Sequence, residues 1–327
     1  MEELDKFDMK LLAELESNSR QTLSQIAKKL NTSQQVVSYR INSLLKKKIL
    51  YGFYTLINFS LLGYTSYRTM IRFSNITEQK NKEIINYLIK HSNVLWIVEC
   101  GGRWDLLVNF MAKNIVQYSN FIREFKNKFP KQIQNYDVLT TIDVTYFGRD
   151  YLINKIRKED KLPYFGNEIK ITNLDQTDFK ILNLIAENAR MNSVEIAEKL
   201  KISPNTVILR IKDMKKNNLI QSYKPLIHLE NTSYSAYKAL IKFQNITEQD
   251  EKKIVDFIKT KINVTGIIRL VGGWDFEIEF EFDSKQKMLD FTRDLRDKFK
   301  EIIKEFEVIP LFHEYKYNYF PSDLLKK

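Results

Sequence analysis

The sequence predicts an α+β protein that contains one unit twice, each unit a small helical module followed by a strand-rich α/β domain. Three observations predict this. First, a single offset relates distant segments. LDKFDMKLLAELESNSR at Leu4–Arg20 returns as LDQTDFKILNLIAENAR at Leu174–Arg190, and IAKKLNTS at Ile26–Ser33 as IAEKLKIS at Ile196–Ser203. FSNITEQ at Phe73–Gln79 returns as FQNITEQ at Phe243–Gln249, and GGRWD at Gly101–Asp105 aligns on VGGWD at Val271–Asp275. Every pair is 170 residues apart, so residues 4–147 align on 174–317 with no net insertion. Second, the first third of each copy has apolar residues at helical spacing. Third, the remainder of each copy alternates strand-period and helix-period segments in the order βαββαβ.

The elements follow in order. Asp5 is placed to cap a helix carrying Leu11, Leu12 and Leu15. TLSQ at Thr22–Gln25 fits a capping box before a second helix with Ile26, Ala27 and Leu30 inward. Asn31-Thr32 makes a short turn, and Ser33 caps a third helix with Val37, Ile41, Leu44 and Leu45 on its inner face. In the second copy, Asn192 and Glu195 resemble a capping box, and Ser203-Pro204 is a strong helix start. Val207, Ile211 and Met214 point inward there. Two short helices joined by a tight turn, the second polar outside, form a helix-turn-helix. An apolar strand follows each third helix, ILYGFYTLINF or LIQSYKPLIHL, which suits a winged or strand-extended variant.

Beyond it, Tyr67–Phe73 alternates as a strand and Thr77–Lys90 is an amphipathic helix. Val94–Cys100 and Trp104–Ala112 form a hairpin about Gly101-Gly102, Tyr118–Phe129 is helical, and Tyr136–Phe147 is a last strand. This is the ferredoxin-like split unit, and copy two gives the same order over Tyr237–Tyr317. The predicted domains are a helix-turn-helix at 1–59, a ferredoxin-like domain at 60–147, a linker at 148–173 opening with a short helix, a second helix-turn-helix at 174–226 and a second ferredoxin-like domain at 227–327.

Composition narrows function. In 327 residues, 43% are hydrophobic and 28% charged, ordinary for a globular protein. One cysteine, Cys100, excludes an intramolecular disulfide framework and a Cys-rich zinc site, and suits a reducing cytoplasm. No apolar run approaches a membrane span, and MEELDKFDMK is too acidic for a signal peptide. Glycine is scarce and neither GxGxxG nor GxxxxGK[ST] occurs, so a phosphate-cradling loop is not expected. The three histidines, His91, His228 and His313, lie far apart in sequence and do not align across the repeat. No cofactor, metal or enzymatic activity is expected. The net charge of +11 permits a nucleic-acid partner.

With these elements in place, the chain resembles the Lrp/AsnC (feast/famine) family of transcription regulators. The matching residues are LD-x-x-D at Leu4–Asp8 and Leu174–Asp178, N-x-R at Asn18–Arg20 and Asn188–Arg190, and the IA-x-K-L to V-x-x-R-I run at Ile26–Ile41 and Ile196–Ile211. The G-x-W-D turn matches at Gly102–Asp105 and Gly272–Asp275. The resemblance spans nearly the whole chain, twice. It implies double-stranded DNA as partner and a ferredoxin-like domain that binds an amino acid or similar effector near that turn. By resemblance the effector residues are Gly101, Gly102, Trp104 and Asp105, with Gly272, Gly273, Trp274 and Asp275; the same residues also suit a purely structural turn, with Trp in the core. Two departures stand out. Asn31 and Lys201 occupy the turn where family members usually have Gly, and two units are fused where members usually dimerise as single units.

The third helix should lie in the major groove. In copy one its outward residues are Gln34, Gln35, Ser38, Tyr39 and Asn42; Gln and Asn can pair with adenine. Arg40, Arg210, Lys46 and Lys47 fit phosphate contacts. In copy two the outward set is Asn205, Thr206, Ile208, Leu209 and Lys212, with Ile208 and Leu209 suited either to thymine methyls or to extra core packing. The two modules should therefore read unlike half-sites. Residues 1–59 and 174–226 each hold 9 Lys and Arg against 6 Asp and Glu, so both modules are equally basic.

The two ferredoxin-like domains differ. WDFEIEFEF at Trp274–Phe282 puts Glu277, Glu279 and Glu281 on the helix-free face, where copy one has Leu107, Asn109 and Met111. Arg68 and Arg72 in one copy and Lys238 and Lys242 in the other fall on that face, and Glu99 aligns with Arg269. One reading is an intramolecular pseudo-dimer packed through these faces by complementary charge, with room for further self-association. The other is a solvated Glu ladder beside its own Lys strand. Two rival functions stand beside the regulator: a siroheme-decarboxylase-like enzyme of similar fold, and an architectural DNA-binding protein.

Overall fold

The structure, a computed structural model, describes residues 4–74, 76–156 and 162–326. Residues 1–3, Asn75 of the FSNITEQ repeat and residues 157–161 of the expected linker lie outside the described residues. Copy one opens with α1 (Lys6–Ser17), α2 (Leu23–Lys29) and α3 (Gln34–Lys46), then β1 (Leu50–Ile57). Its second part runs β2 (Thr65–Phe73), α4 (Glu78–Lys90), β3 (Val94–Cys100), β4 (Leu106–Ala112), α5 (Ile115–Lys128) and β5 (Ile133–Tyr146). A 3-10 turn at Asp150–Ile153 and a short β6 (Tyr164–Gly166) lie between the copies. Copy two repeats the order as α6 (Gln176–Glu187), α7 (Ser193–Leu200), α8 (Pro204–Lys216) and β7 (Ile220–Ile227). It continues with β8 (Ser235–Phe243), α9 (Glu248–Lys259), β9 (Val264–Val271), β10 (Phe276–Phe282), α10 (Lys285–Lys298) and β11 (Ile303–Tyr317).

The α+β class with two winged helix-turn-helix segments, each followed by a βαββαβ domain, is what the residues fold into. Capping sets the helix starts. Asp5, Thr22 and Ser33 accept from the third backbone N–H of α1, α2 and α3, and the Thr22–Gln25 box is complete. Asn192–Glu195 completes the equivalent box, and Ser203-Pro204 starts α8. Some boundaries move. α5 begins at Ile115, capped by Asn114, rather than at Tyr118, because a capped start is worth more than apolar spacing alone. β4 begins at Leu106, since Trp104 and Asp105 belong to the turn. Leu45 is a correction: expected on the inner face of α3, it is 36% exposed, because Leu44 takes the inner slot.

The chain divides into two compact units that the repeat alone does not reveal. One comprises residues 1–52, 144–163 and 223–312; the other comprises 53–143, 164–222 and 313–327. Each unit therefore joins the helix-turn-helix of one copy to the ferredoxin-like domain of the other. In the first unit Ser19 donates its backbone N–H to the Tyr223 carbonyl at 3.0 Å, and in the second the aligned Ala189 donates to Phe53 at 2.9 Å.

Both sheets have the same order. In the first unit β8 lies between β11 and β10, and β9 pairs with β10. In the second, β2 lies between β5 and β4, and β3 pairs with β4. All these pairings are antiparallel. One sheet face packs on two helices. Ile241, Ile254, Ile267, Phe276, Phe280 and Phe291 form that core in one domain, and Ile71, Ile84, Ile97, Val108, Phe110 and Phe121 in the other.

Candidate nucleic-acid interface and ligand turn

Each helix-turn-helix is built from its turn outward. In copy one, Asn31 adopts φ +51°, and Thr32 N–H closes on the Ala27 carbonyl at 3.0 Å. In copy two, Lys201 adopts φ +55°. An Asn there is well tolerated, and a Lys costs more, so both positions accept the left-handed turn without glycine. Buried Leu11, Leu15, Ile26, Val37 and Leu44 fix α3 on its neighbours, and Ile181, Ile185, Ile196, Val207 and Met214 fix α8.

Held this way, α3 exposes Gln34, Gln35, Tyr39, Asn42, Lys46 and Lys47, with Tyr39 70% exposed and Ser38 half-buried. On α8, Asn205 and Lys212 are exposed and Thr206 is half-buried, its hydroxyl against the Ser203 cap at 2.8 Å. Ile208 and Leu209 are 51% and 56% exposed, so they are not extra core packing. Arg40 and Arg210 are placed differently from the lysines. Arg40 Nη1 donates to Asp5 Oδ2 at 2.6 Å and to Asp8 Oδ1 at 3.2 Å. Arg210 Nη1 donates to Asp175 and Asp178, both at 2.8 Å. The LD-x-x-D motif thus ties the first helix of each module to its third. The Asp8 backbone N–H and Arg40 hold the Asp5 carboxyl below its ordinary range, while burial and the neighbouring Asp5 charge raise that of Asp8.

The G-x-W-D turns are near copies. In copy one, Asp105 Oδ2 accepts from Phe73 N at 2.7 Å, and Arg72 Nη1 donates to Gly102 O at 3.1 Å and Asp105 Oδ1 at 3.3 Å. In copy two, Asp275 Oδ2 accepts from Phe243 N at 2.8 Å, and Lys242 Nζ donates to Asp275 Oδ1 at 2.7 Å and Gly272 O at 3.3 Å. Gly102 at φ +86° needs the freedom of glycine. Gly101 precedes it at the end of β3, and Gly273 has open space around it. Trp104 and Trp274 are buried, so both indoles pack inward. Beside the first turn runs an open cleft of about 350 Å³ lined by Arg72, Thr77, Glu78, Asn81, Glu99 and Asp105. At the aligned place in copy two, Arg269 Nη1 reaches Glu251 at 3.1 Å.

The Glu ladder of β10 is not a solvated face. Glu277 and Lys238 are fully buried, and Lys238 pairs with Glu277 and Glu279 of the neighbouring strand. In copy one Arg68 Nε donates to Asn109 at 2.9 Å instead. Glu281 turns to Arg149, part of a buried cluster with Glu16, Lys224, Tyr146 and Tyr151 that sequence reasoning missed. A signal was present: Glu16 sits four residues after Leu12, on the apolar stripe of α1. His91 Nδ1 accepts from Asn93 N at 3.2 Å, His228 stacks on Tyr51 at 3.8 Å, and His313 lies edge-on to Tyr315 at 4.5 Å.

Comparison with known proteins matches this geometry. A family model described as winged helix-turn-helix DNA-binding matches residues 4–50 and 174–221. The uncharacterized HTH-type transcriptional regulator PH0061 of Pyrococcus horikoshii is 32% identical over 149 residues, 45% of this chain and 98% of that protein. The uncharacterized HTH-type transcriptional regulator PF0250 of Pyrococcus furiosus is 30% identical over 123 residues, 37% of this chain and 81% of that protein. The chain belongs to the Lrp/AsnC-like helix-turn-helix family, as a tandem duplicate. Over its full length this Lrp/AsnC-like chain also shares its fold with the siroheme decarboxylase NirDL. That structure matches at TM-score 0.60 and 13% identity, covering 98% of this chain and 96% of the other. Among the described residues, no helix is long and apolar enough to cross a membrane.

Proposed function

We propose that this chain is a DNA-binding transcriptional regulator, acting in the cytoplasm and without catalysis, whose two recognition helices read unlike half-sites. The observation that carries the reading is the pair α3 and α8. Both are capped and packed alike, and both expose their outward residues. Yet one offers Gln34, Gln35, Tyr39 and Asn42 where the other offers Pro204, Asn205, Leu209 and Lys212. Gln and Asn suit adenine edges, and Leu209 suits a thymine methyl. Lys46, Lys47 and Lys212 supply sequence-independent phosphate attraction. Arg40 and Arg210 orient the helices through their carboxylate partners instead. A small effector, an amino acid or a similar molecule, fits the reading through the turns at Gly101, Gly102, Trp104 and Asp105 and at Gly272, Gly273, Trp274 and Asp275.

Selection of bound duplexes from a random pool at two salt concentrations tests this. The expected product is a motif with two different halves. Binding that fades with salt and leaves no motif would point to an architectural DNA-binding protein. The likeness to NirDL supports a second reading, a siroheme-decarboxylase-like enzyme. Absorption spectra of the protein titrated with siroheme separate the two, since the regulator reading expects no saturable spectral shift.

A further inference from the structure

The buried cluster in the first unit has a composition that the repeat makes legible. Arg149 Nε and Nη2 fork onto the Glu281 carboxylate, both at 2.9 Å, and Nη1 reaches Glu16 Oε2 at 3.1 Å. Lys224 Nζ sits 3.4 Å from the other oxygen of Glu16 and donates to the Glu16 carbonyl at 2.7 Å. Tyr146 and Tyr151 donate hydroxyls to Glu16 and Glu281. Glu16, Lys224 and Glu281 are buried and Arg149 nearly so. Burial would raise the Glu16 carboxyl, but Lys224 and Arg149 outweigh it and hold it below its ordinary value.

The four charges alternate as Lys224, Glu16, Arg149, Glu281. Glu16 and Arg149 come from copy one and its trailing segment; Lys224 and Glu281 come from copy two. Across the offset of 170, the aligned residues in the second unit are Ala186 for Glu16, Tyr319 for Arg149, Tyr54 for Lys224 and Met111 for Glu281. That site holds no charge at these four positions. Tyr54 packs on Tyr317 at 4.4 Å and on Tyr319 at 6.1 Å, and Phe165 lies edge-on to Tyr319 at 5.5 Å.

We propose that this alternating network is a partner-selection device, complete only where copy one meets copy two, which keeps chains from associating like with like. A copy-one helix-turn-helix docked on a copy-one domain would set Glu16 and Arg149 against Tyr54 and Met111. Copy two on copy two would set Lys224 and Glu281 against Ala186 and Tyr319. In the first pairing Glu16 and Arg149 keep each other but lose Lys224 and Glu281; in the second Lys224 loses Glu16 and Glu281 loses Arg149. An uncompensated buried charge is strongly disfavoured. The same charges that stabilise the correct pairing act against the wrong one.

The full chain carrying Glu16→Ala, Arg149→Tyr, Lys224→Tyr and Glu281→Met has the same four residues at both sites. Wild type and variant are unfolded in denaturant and refolded over a range of concentrations, and the masses are read by light scattering after size separation. The wild type is expected to return to one mass. The variant is expected to show larger species, on the order of tenfold more abundant, that grow with concentration. A variant distribution equal to that of wild type overturns the proposal and leaves the network a stabilising cluster alone. Should the fourfold variant lack a cooperative melt, Lys224→Tyr with Glu281→Met serves. It leaves Glu16 and Arg149 paired and gives copy two the residues of copy one. The same shift to larger species is expected, and a wild-type distribution from this folded variant again overturns the proposal.

Discussion

The two ferredoxin-like domains have the same strand order, the same turn and the same helix-side core, and they differ on the other sheet face. In copy two, Lys238 and Glu277 are wholly buried and paired, with Glu279 beside them. In copy one the aligned residues are Arg68, Leu107 and Asn109, and Arg68 bonds Asn109 and lies over the Trp96 ring at 5.1 Å. The helix side of a domain must satisfy its own helices, so it tolerates little change. The opposite face and the docking positions are where a duplicated pair can diverge and become a pair of unlike halves. The difference teaches that on this face copy two holds a buried Lys–Glu pair where copy one holds a buried arginine satisfied by an amide and an indole.

Breaking the charged side should give the largest effect. Lys238→Met alone or Glu277→Leu alone leaves a buried charge without its main partner, and should cost about 3–5 kcal/mol of stability. The double variant should cost much less than the sum, because it removes both wholly buried charges and leaves only the part-exposed Glu279. Denaturant midpoints for the two single variants and the double decide it; additive losses would show that the pair is not coupled.

The second effect is in pH. The Glu16 carboxyl lies below its ordinary value of 4.5, with Lys224 and Arg149 overcoming its burial. A carboxyl lowered in the folded state adds stability that is fully present above its unfolded value. That stability is lost as pH falls through the folded value. Melting temperature should therefore drop as pH falls below about 4.5, and Glu16→Gln should flatten that part of the profile. Ala186, aligned with Glu16, contributes no such limb in the other unit. A Glu16→Gln profile parallel to that of wild type would contradict this.

Asp105 and Asp275 accept the equivalent backbone N–H, and each meets the cation at the aligned position, Arg72 or Lys242. Replacing either with Ala should cost a similar amount, about 1–3 kcal/mol, since each leaves a strand N–H without its acceptor. Unequal losses, read by chemical denaturation, would mean that the two turns carry different loads.

Much of this molecule could be read from the chain, and the reasons are local. Caps such as Thr22 and Ser203, alternation in WDFEIEFEF and the 170-residue offset act over a few residues or repeat, so they survive in one dimension. The outward residues of α3 were legible for the same reason, because helical spacing separates buried Val37 and Leu44 from exposed Gln34 and Tyr39. Two things were not. The exchange of helix-turn-helix modules between copies depends on which segment packs where, and no periodicity encodes it. The Glu16–Arg149–Glu281 cluster draws together residues 133 and 132 positions apart, and alternation that puts Glu281 on the helix-free face does not say which cation meets it. The ion pairs of Arg40 and Arg210 meet the same limit, since their carboxylate partners lie 35 and 32 residues away.

The smallest effect on stability belongs to the recognition helices, where the comparison bears directly on function. Ile208→Ser and Leu209→Ser alter exposed side chains, so stability should change by no more than about 0.5 kcal/mol. If Leu209 reads a thymine methyl, the preferred half-site of α8 should relax at one position by about 1–3 kcal/mol of discrimination, with the α3 half-site unchanged. Gln35→Ala should do the converse. Lys46→Ala and Lys47→Ala should weaken all duplexes alike and lower the salt slope by about one each, while Arg40→Gln should leave the slope unchanged. Binding measured on wild-type and single-position variant duplexes at two salt concentrations separates these outcomes. A slope that falls with Arg40→Gln would return that arginine to the phosphate backbone and weaken its assignment as the tie between α1 and α3.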